Sequence, residues 1–308
     1  MKFGWHMPPF PLDGSDGEKF VSQVSTMLDR IQGRFDSVWM DDHLLPWADF
    51  VPPGTANLEC LSTTAYLAAT YPSLDFGCTV LCLSFRNPAL TAKMGANLQL
   101  MTRGRFVLGI GAGWMEREHR AYGYDFPGAA ARIARLEEAV QIIRKMWTEA
   151  PATFRGRHYR IDRAYCEPKP DPMPPILVGG GGERLTLRVV ARHADWWNLS
   201  GGTAENYAHK LQVLRRHCEA EGREYERIVK TWSAEVVAVA EEEAEARRIA
   251  EASPYGDPNP IVGTPGQVAE QLRSFADLGV EHLMLRFVDF PSTTGAELFA
   301  EAIMPELR

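Results

Sequence analysis

The chain has 308 residues, of which 45% are hydrophobic and 24% charged, and a formal net charge of -7 at pH 7. This is the composition of a folded globular protein, and it excludes a largely disordered chain. Because the sequence contains no basic block, it gives no electrostatic support for a surface that binds nucleic acid or an anionic membrane.

The N-terminus and the cysteines indicate a cytoplasmic protein. The first residues, "MKFGWHMPPF", lack the long apolar segment of a signal peptide, and no run of about 18 apolar residues occurs. The five cysteines, at positions 60, 78, 82, 166 and 218, form neither a CxxC pair nor an evenly matched disulfide framework. We therefore expect a cytoplasmic protein without a membrane segment or a nucleic-acid partner.

Eight short apolar runs of strand type alternate with stretches of helical periodicity. The predicted strands are 2–7, 36–40, 75–83, 105–111, 175–178, 195–199, 228–240 and 282–288. The predicted helices are 18–32, 57–70, 88–102, 130–148, 183–193, 204–221, 265–278 and 294–307. Strands separated by helices imply parallel pairing. Eight repeats predict an α/β fold, a closed (β/α)₈ TIM-like barrel, with residues 1–308 as one domain.

Three glycines follow the fourth predicted strand in "GRFVLGIGAGWMEREHRAYG", residues 104–123. A dinucleotide-binding loop would need its third glycine one residue later than Gly113, and nearer the start of the chain. In a barrel, Gly109, Gly111 and Gly113 instead end a strand at the catalytic rim. They either leave room for a flat ligand to approach the backbone or relieve crowding there.

Two further strand ends carry candidate chemistry. Asp41, Asp42 and His43 directly follow the second strand in "SVWMDDHLLPW", where a histidine can exchange a proton near neutral pH. The fifth strand is followed by four glycines, 179–182, whose backbone N–H groups at a helix N-terminus suit a phosphate or another anion. Arg184 could assist there, or it could face solvent.

Taken in order, these segments resemble the luciferase-like flavin and deazaflavin oxidoreductases over nearly the whole chain. The resemblance depends on "FDSVWMDDHLLPW", "GCTVLCLSFRNPALTAKM", "GRFVLGIGAGWMEREHRAYG", "RLEEAVQIIRKMW" with "TFRGRHY", "PPILVGGGGERLTLRVVARHADWWN" and "VGTPGQVAEQL". The Asp-His-x-x-Pro-Trp element is similar to the branch that uses coenzyme F420. The resemblance implies a TIM-like barrel with a short insertion, here 150–174, between helix 4 and strand 5.

The resemblance also implies roles for individual residues. His43 would hydrogen-bond or protonate the substrate during hydride transfer, and Trp47 would shape the pocket over the cofactor. Asp42 would contact the cofactor ring. Thr79 and Val80 fall where relatives have a bulge with a cis peptide bond behind the ring. The candidate cofactor-binding residues are Asp42, Thr79, Val80, Gly111, Gly113, Gly179, Gly180, Gly181, Gly182 and Arg184.

One position departs from the F420-dependent sugar-phosphate dehydrogenases. Some of these carry a glutamate directly after the third glycine of the strand-four turn, where this chain has Trp114. Without that acid, sugar-phosphate oxidation by the same proton relay is not expected. Glu116, Glu118 and His119 lie close by and are interpreted as a charged helix start.

The sequence therefore predicts an F420-dependent oxidoreductase that moves a hydride between the deazaflavin and a small organic substrate. The alternative is an FMN-dependent monooxygenase that uses reduced flavin and oxygen and requires a flavin reductase partner. A homodimer is expected in either case. A metal-dependent hydrolase has few candidate ligands, namely His6, Asp42 and His43. A cofactor-binding protein without turnover stays open as a further alternative.

Overall fold

The computed structural model describes residues 1–308, and its centre is a closed barrel of eight parallel strands. Around the barrel the order is β1, β2, β3, β5, β8, β9, β10 and β12, and pairing of β12 with β1 and of β9 with β10 completes the circle. The strands are β1 (Lys2–His6), β2 (Ser37–Met40), β3 (Asp75–Cys78), β4 (Leu81–Cys82), β5 (Phe106–Gly111), β6 (Ala152–Arg155), β7 (Arg160–Ala164), β8 (Ile176–Gly179), β9 (Trp196–Ser200), β10 (Val229–Val239), β11 (Ile261–Gly263) and β12 (His282–Phe287). The predicted TIM-like barrel is confirmed.

Helices surround the barrel and connect successive strands. They are α1 (Gly17–Ile31), α2 (Cys60–Thr70), α3 (Pro88–Met101), α4 (Glu116–Ala121), α5 (Ala129–Thr148), α6 (Thr186–His193), α7 (Ala204–Ala220), α8 (Glu243–Ala252), α9 (Pro265–Ala276), α10 (Thr294–Leu298) and α11 (Met304–Leu307). None of them is both long enough and apolar enough to cross a bilayer.

Local sequence explains where helices begin. At α9, Thr264 is the N-cap, Pro265 is the first helical residue, and Gln267 completes a capping box with Thr264. The cap satisfies backbone N–H groups that the first helical turn leaves without partners. On α5, Leu136, Val140 and others form the buried face that packs on the barrel and on α3.

Several elements differ from the sequence prediction. The predicted strand 75–83 is broken at Thr79–Val80 into β3 and β4, and the long strand 228–240 gains a short partner, β11. Helix α8 was not predicted. The C-terminal stretch 294–307 is helical, but residues Phe299–Ile303 form a wider π-helical turn between α10 and α11. The insertion 150–174 is an antiparallel hairpin of β6 and β7, as expected between the fourth helical connection and the fifth barrel strand.

The inside of the barrel holds mainly apolar side chains, with the buried polar pair Ser37 and His282 beside Trp39. Trp39, Val107, Leu177 and Met284 form a buried cluster that also contacts Val80. The Trp39 indole lies over the backbone of neighbouring strands, where a Cβ on Gly4 or Gly77 would come within 2.5 Å or 2.2 Å of the ring. This packing closes the barrel axis below Val80.

Candidate active site

A cavity of about 660 Å³ lies at the carboxyl ends of the barrel strands. It brings together ten of the predicted site residues: Asp42, His43, Trp47, Thr79, Val80, Gly111, Gly113, Gly179, Gly180 and Gly181. Gly182 and Arg184 do not line it, and both are exposed. A larger groove of about 900 Å³, between α8 and α10, contains none of the predicted residues, so the chemistry is assigned to the barrel cavity.

His43 is held in the cavity by Glu118. The Nδ1 atom of His43 lies 3.0 Å from Oε2 of Glu118, while the other carboxylate oxygen accepts hydrogen bonds from the backbone N–H groups of Leu44, at 2.7 Å, and Leu45, at 3.0 Å. The side-chain amide of Asn57 donates to the carbonyl oxygen of His43. Nδ1 therefore has a fixed partner, and Nε2 has none within the chain.

The surroundings of His43 favour its protonated form. Burial alone would lower the pKa of His43, but the hydrogen bond with Glu118 and the negative charges of Asp41, Glu118 and Asp42 outweigh burial and raise that pKa above its usual value. A histidine whose pKa is raised above about 6.5 can hold or release a proton in the physiological range. His43 is therefore suited to proton exchange with a bound substrate.

Glu116 and Glu118 lie in the first turn of α4, as the interpretation as a charged helix start expects, whereas His119 lies in its last turn. Glu116 forms an exposed ion pair with Arg120 at 2.8 Å, but the other two residues have further contacts. Glu118 is 1% exposed and contacts His43, and His119 is buried with Nδ1 at 3.0 Å from the Met115 carbonyl oxygen. Glu118 thus brings a carboxylate to the cavity one helical turn after Trp114. Trp114 is the position at which some F420-dependent sugar-phosphate dehydrogenases carry a glutamate.

Two tryptophans flank the imidazole. The ring of Trp47 lies 6.5 Å from that of His43, and the ring of Trp114 lies 5.7 Å away in an edge-on arrangement. Trp47 is half-buried, whereas Trp114 is 64% exposed at the cavity mouth. The two indoles form apolar walls on either side of the polar ring.

Asp42 lines the cavity but directs its carboxylate into the protein. Its two oxygens accept hydrogen bonds from the guanidinium of Arg86, with Nη2–Oδ1 at 2.7 Å, and from the backbone N–H of Cys82 at 2.8 Å. Arg86 also reaches Glu59 at 2.6 Å. Asp42 thus ties the loop after β2 to β4 and to the start of α2.

Val80 forms the floor of the cavity, above the apolar barrel interior. The peptide bond between Thr79 and Val80 is cis, as the resemblance predicted. The Val80 side chain lies between the backbones of two glycines, where a Cβ on Gly111 would come within 2.5 Å and a Cβ on Gly179 within 2.8 Å of its methyl groups. Both glycines therefore permit close packing at the rim.

The glycine turn after β8 leads into α6, whose N-terminus has no side-chain cap. Gly180 has a φ of +116°, a conformation that suits glycine. Thr186, the first residue of α6, lines the cavity, as does Arg132 from α5. Arg132 donates to the carbonyl oxygens of Gly113, at 3.2 Å, and Pro127, and has no carboxylate partner. Backbone N–H groups, a hydroxyl and a guanidinium can thus receive an anion here.

A buried polar network underlies another part of the wall. Arg286, 1% exposed, contacts Asp41 at 2.6 Å and Glu235 at 3.1 Å, and Asp41 also contacts His6 at 2.9 Å. Burial would raise the pKa of Asp41, but the charges of Arg286 and His6 hold it well below its usual range. Sequence reasoning missed Glu235 and Arg286, although a charge inside an apolar strand was a signal for each.

No group of three or more His, Cys, Asp or Glu side chains is arranged to hold a metal ion. His6, Asp42 and His43, the candidate ligands of the hydrolase alternative, are instead engaged with Asp41, Arg86 and Glu118 respectively. Each candidate ligand thus has a partner within the chain.

A family model described as luciferase-like monooxygenase matches residues 1–260. The chain belongs to this family. A relative in Nakamurella multipartita, an F420-dependent glucose-6-phosphate dehydrogenase, is 30% identical and aligns over 89% of this chain and 88% of its own length. An FMNH(2)-dependent dimethylsulfone monooxygenase of Pseudomonas fluorescens is 28% identical over 72% of this luciferase-like chain and 70% of its own.

Solved structures agree in fold. An F420-dependent secondary alcohol dehydrogenase, in complex with an F420-acetone adduct, superposes with a TM-score of 0.84 and covers 100% of this chain and 99% of its own, at 19% identity. The relatives of this luciferase-like protein are oxidoreductases that act with a deazaflavin or a flavin. The predicted family and enzyme class are confirmed.

Proposed function

We propose that this luciferase-like protein is an F420-dependent oxidoreductase that transfers a hydride between the deazaflavin and a small organic substrate. The observation that carries the proposal is a histidine, His43, fixed by Glu118 at a cavity with Val80 at its floor and a rim that can receive an anion. The relatives named as F420-dependent dehydrogenases support the choice of cofactor.

The residues at the floor and rim fit a flat cofactor with a phosphate. The Val80 side chain packs between the backbones of Gly111 and Gly179, and neither glycine adds a side chain to this surface. The turn of Gly179–Gly181 and the hydroxyl of Thr186 would hold the phosphate, and Arg132 would add positive charge. When bound, the deazaflavin supplies a two-electron acceptor or donor of hydride.

His43 handles the proton that accompanies the hydride. In alcohol oxidation, Nε2 accepts the proton of the substrate hydroxyl, and Glu118 stabilises the imidazolium that results. In carbonyl reduction, the same nitrogen returns the proton to the carbonyl oxygen. Trp47 and Trp114 limit the access of water to this nitrogen and orient the reacting carbon.

The FMN-dependent monooxygenase is the second candidate, because a relative of that kind also aligns with most of the chain. It would require a flavin reductase as partner. We further propose a homodimer, which would cover exposed apolar side chains on α3 such as Leu90 and Met101. A cytoplasmic location suits the five buried cysteines, all of which are free thiols.

Titration of the purified protein with F420 and, separately, with FMN tests the proposal. Binding of F420 with turnover of an alcohol or carbonyl compound is expected. Thr186→Val should weaken F420 binding by about 3- to 10-fold, because one hydrogen bond is lost, and Thr186→Asp by a larger factor through repulsion of the phosphate. Tight binding of FMN without a response to F420 would overturn the proposal in favour of the monooxygenase.

A further inference from the structure

The cavity wall continues beyond the catalytic histidine to Tyr255. Trp47 lies between the two, with ring centroids 6.5 Å from His43 and 5.5 Å from Tyr255. Tyr255 is held on its other sides by Phe10, at 6.2 Å, and by Phe50, also at 6.2 Å. The phenol is therefore fixed by aromatic packing in the wall of the same cavity.

The hydroxyl of Tyr255 is a buried donor without a partner. Tyr255 is 5% exposed, and its hydroxyl makes no hydrogen bond of good geometry within the chain, although the Arg286 guanidinium lies beside it. Because a guanidinium can only donate, the phenol proton is left without an acceptor. A buried polar atom in that condition is costly unless a bound molecule satisfies it. Burial raises the pKa of Tyr255 to about 12, so the group is a neutral donor at physiological pH.

A hydrogen-bond acceptor, the carboxylate of Glu235, lines the same cavity as the Tyr255 hydroxyl. Glu235 is 29% exposed, accepts a hydrogen bond from the hydroxyl of Ser200 and lies 3.1 Å from Arg286. The Arg286 guanidinium also lies under the Tyr255 ring, with Cζ 5.1 Å from the centroid. The donor and the acceptor are thus held by one buried arginine and can together recognise a group that both accepts and donates, such as a hydroxyl.

The charges along the cavity disfavour an anion at this wall. Four carboxylates line the cavity: Asp41, Asp42, Glu118 and Glu235. No lysine lines it, and Arg286 is shared between Asp41 and Glu235. Arg132, the only lining arginine, bonds to Gly113 on the cofactor side. A phosphate or carboxylate of the substrate would therefore meet negative charge without a free cation.

We infer that Tyr255, Glu235 and Ser200 form a substrate-recognition subsite for a second, uncharged hydroxyl group. This inference rests on the proposed function and specifies its substrate class. The substrate is a neutral alcohol or carbonyl compound of several carbons, because its distal hydroxyl must reach past Trp47 while its reacting carbon lies at His43. A phosphorylated sugar does not fit this class.

Three matched compounds test the subsite: 2-hexanol, 1,5-hexanediol, which adds a distal hydroxyl, and 5-hydroxyhexanoate, which carries a carboxylate there. Binding to the F420-loaded enzyme is measured by calorimetry, with KM and kcat for each compound that is turned over. We expect the diol to bind about 3- to 10-fold more tightly than 2-hexanol, and the carboxylate to bind most weakly. Tyr255→Phe should abolish the advantage of the diol and leave 2-hexanol and F420 unchanged.

Tyr66→Phe, at a side chain 58% exposed on α2, is the matched control and should change none of these values. Equal binding of the diol and 2-hexanol, a diol advantage that survives in Tyr255→Phe, or preferred binding of 5-hydroxyhexanoate would each overturn the subsite. If FMN is the cofactor that binds, the same comparison is made on FMN-loaded protein. Failure of the F420 proposal is thereby separated from failure of the subsite.

Discussion

The imidazole of His43 and the carboxylate of Glu118 meet at 3.0 Å although 75 positions separate them in the chain. His43 lies in the loop after β2, and Glu118 lies on α4, the short helix that follows β5. Because the same carboxylate also receives the N–H groups of Leu44 and Leu45, it fixes both the imidazole ring and the loop that carries it. One side chain therefore contributes both to the local order and to the proton affinity of this site.

Replacement of Glu118 by glutamine should move the pH dependence of catalysis. Glutamine keeps the shape but removes the carboxylate hydrogen bond and one of the three negative charges that raise the pKa of His43, so that pKa falls. Alcohol oxidation needs the unprotonated imidazole, which exists above this pKa, so the acid limb of the kcat profile should shift to lower pH. At neutral pH, kcat should also fall, by less than the about 10²- to 10⁴-fold expected for loss of the proton acceptor itself, because the imidazolium that forms loses one negative partner.

The matched control is Glu116→Gln, on the same helix but in an exposed ion pair. It should leave the profile unchanged. An acid limb in Glu118→Gln at the same pH as in the wild type would contradict the role of Glu118.

Replacement of His43 by alanine should separate turnover from binding. We expect kcat to fall by about 10² to 10⁴, because a positioned proton acceptor is lost. The affinity for the cofactor, measured by fluorescence titration, should change little. His158→Ala, in the hairpin of β6 and β7, serves as control. Unchanged turnover in His43→Ala would indicate that this residue takes no part in the chemistry.

Substitution of Gly111 by alanine should destabilise the barrel rim. The new Cβ would lie 2.5 Å from Cγ2 of Val80, and overpacking of this kind typically costs about 1–3 kcal/mol. Gly128→Ala, where nothing lies within 4 Å, should cost less. Urea denaturation measures both. The double variant Gly111→Ala/Val80→Ala should lose about 1 kcal/mol less free energy of unfolding than the sum of the two single variants. If the two single losses simply add, the clash between these side chains is absent.

Removal of the Asp42 charge should be costly for folding. Asp42→Asn leaves the guanidinium of Arg86 with Glu59 as its remaining counter-ion, and the loss of a buried charged hydrogen bond typically costs about 1.5–3 kcal/mol in the free energy of unfolding. Asp49→Asn, at a fully exposed side chain, should cost less than about 1 kcal/mol. Equal effects of the two variants in chemical denaturation would refute the anchoring role of Asp42.

The fold and much of the site could be predicted from the sequence because their signals are local. Alternating apolar runs indicated the barrel strands, and the capping residues Thr264 and Gln267 marked the start of α9. The loop of His43 and the glycines after β5 and β8 stand at strand ends, which meet at one rim in any parallel barrel. Their positions in the chain were sufficient to bring them to one cavity.

The rest depended on contacts that no local pattern records. Glu118 has the spacing of an ordinary charged helix start, and only the approach of the loop after β2 turns it into a partner of His43. Tyr255 lies in a loop without a readable motif. Glu235 and Arg286 were visible as charges within apolar strands, but their pairing follows from the barrel register, which places β10 beside β12.

The register of β10 against β12 shifts between Ala234 and Val237, and Glu235 lies within this irregularity. The acceptor is therefore part of the sheet itself, whereas Tyr255 belongs to a connecting loop. For protein engineering, this means that exchanging loops with a related barrel would transfer Tyr255 but not Glu235, and so only part of the proposed hydroxyl subsite. A graft that is meant to change the preferred reactant must carry the bulged strand together with its loop.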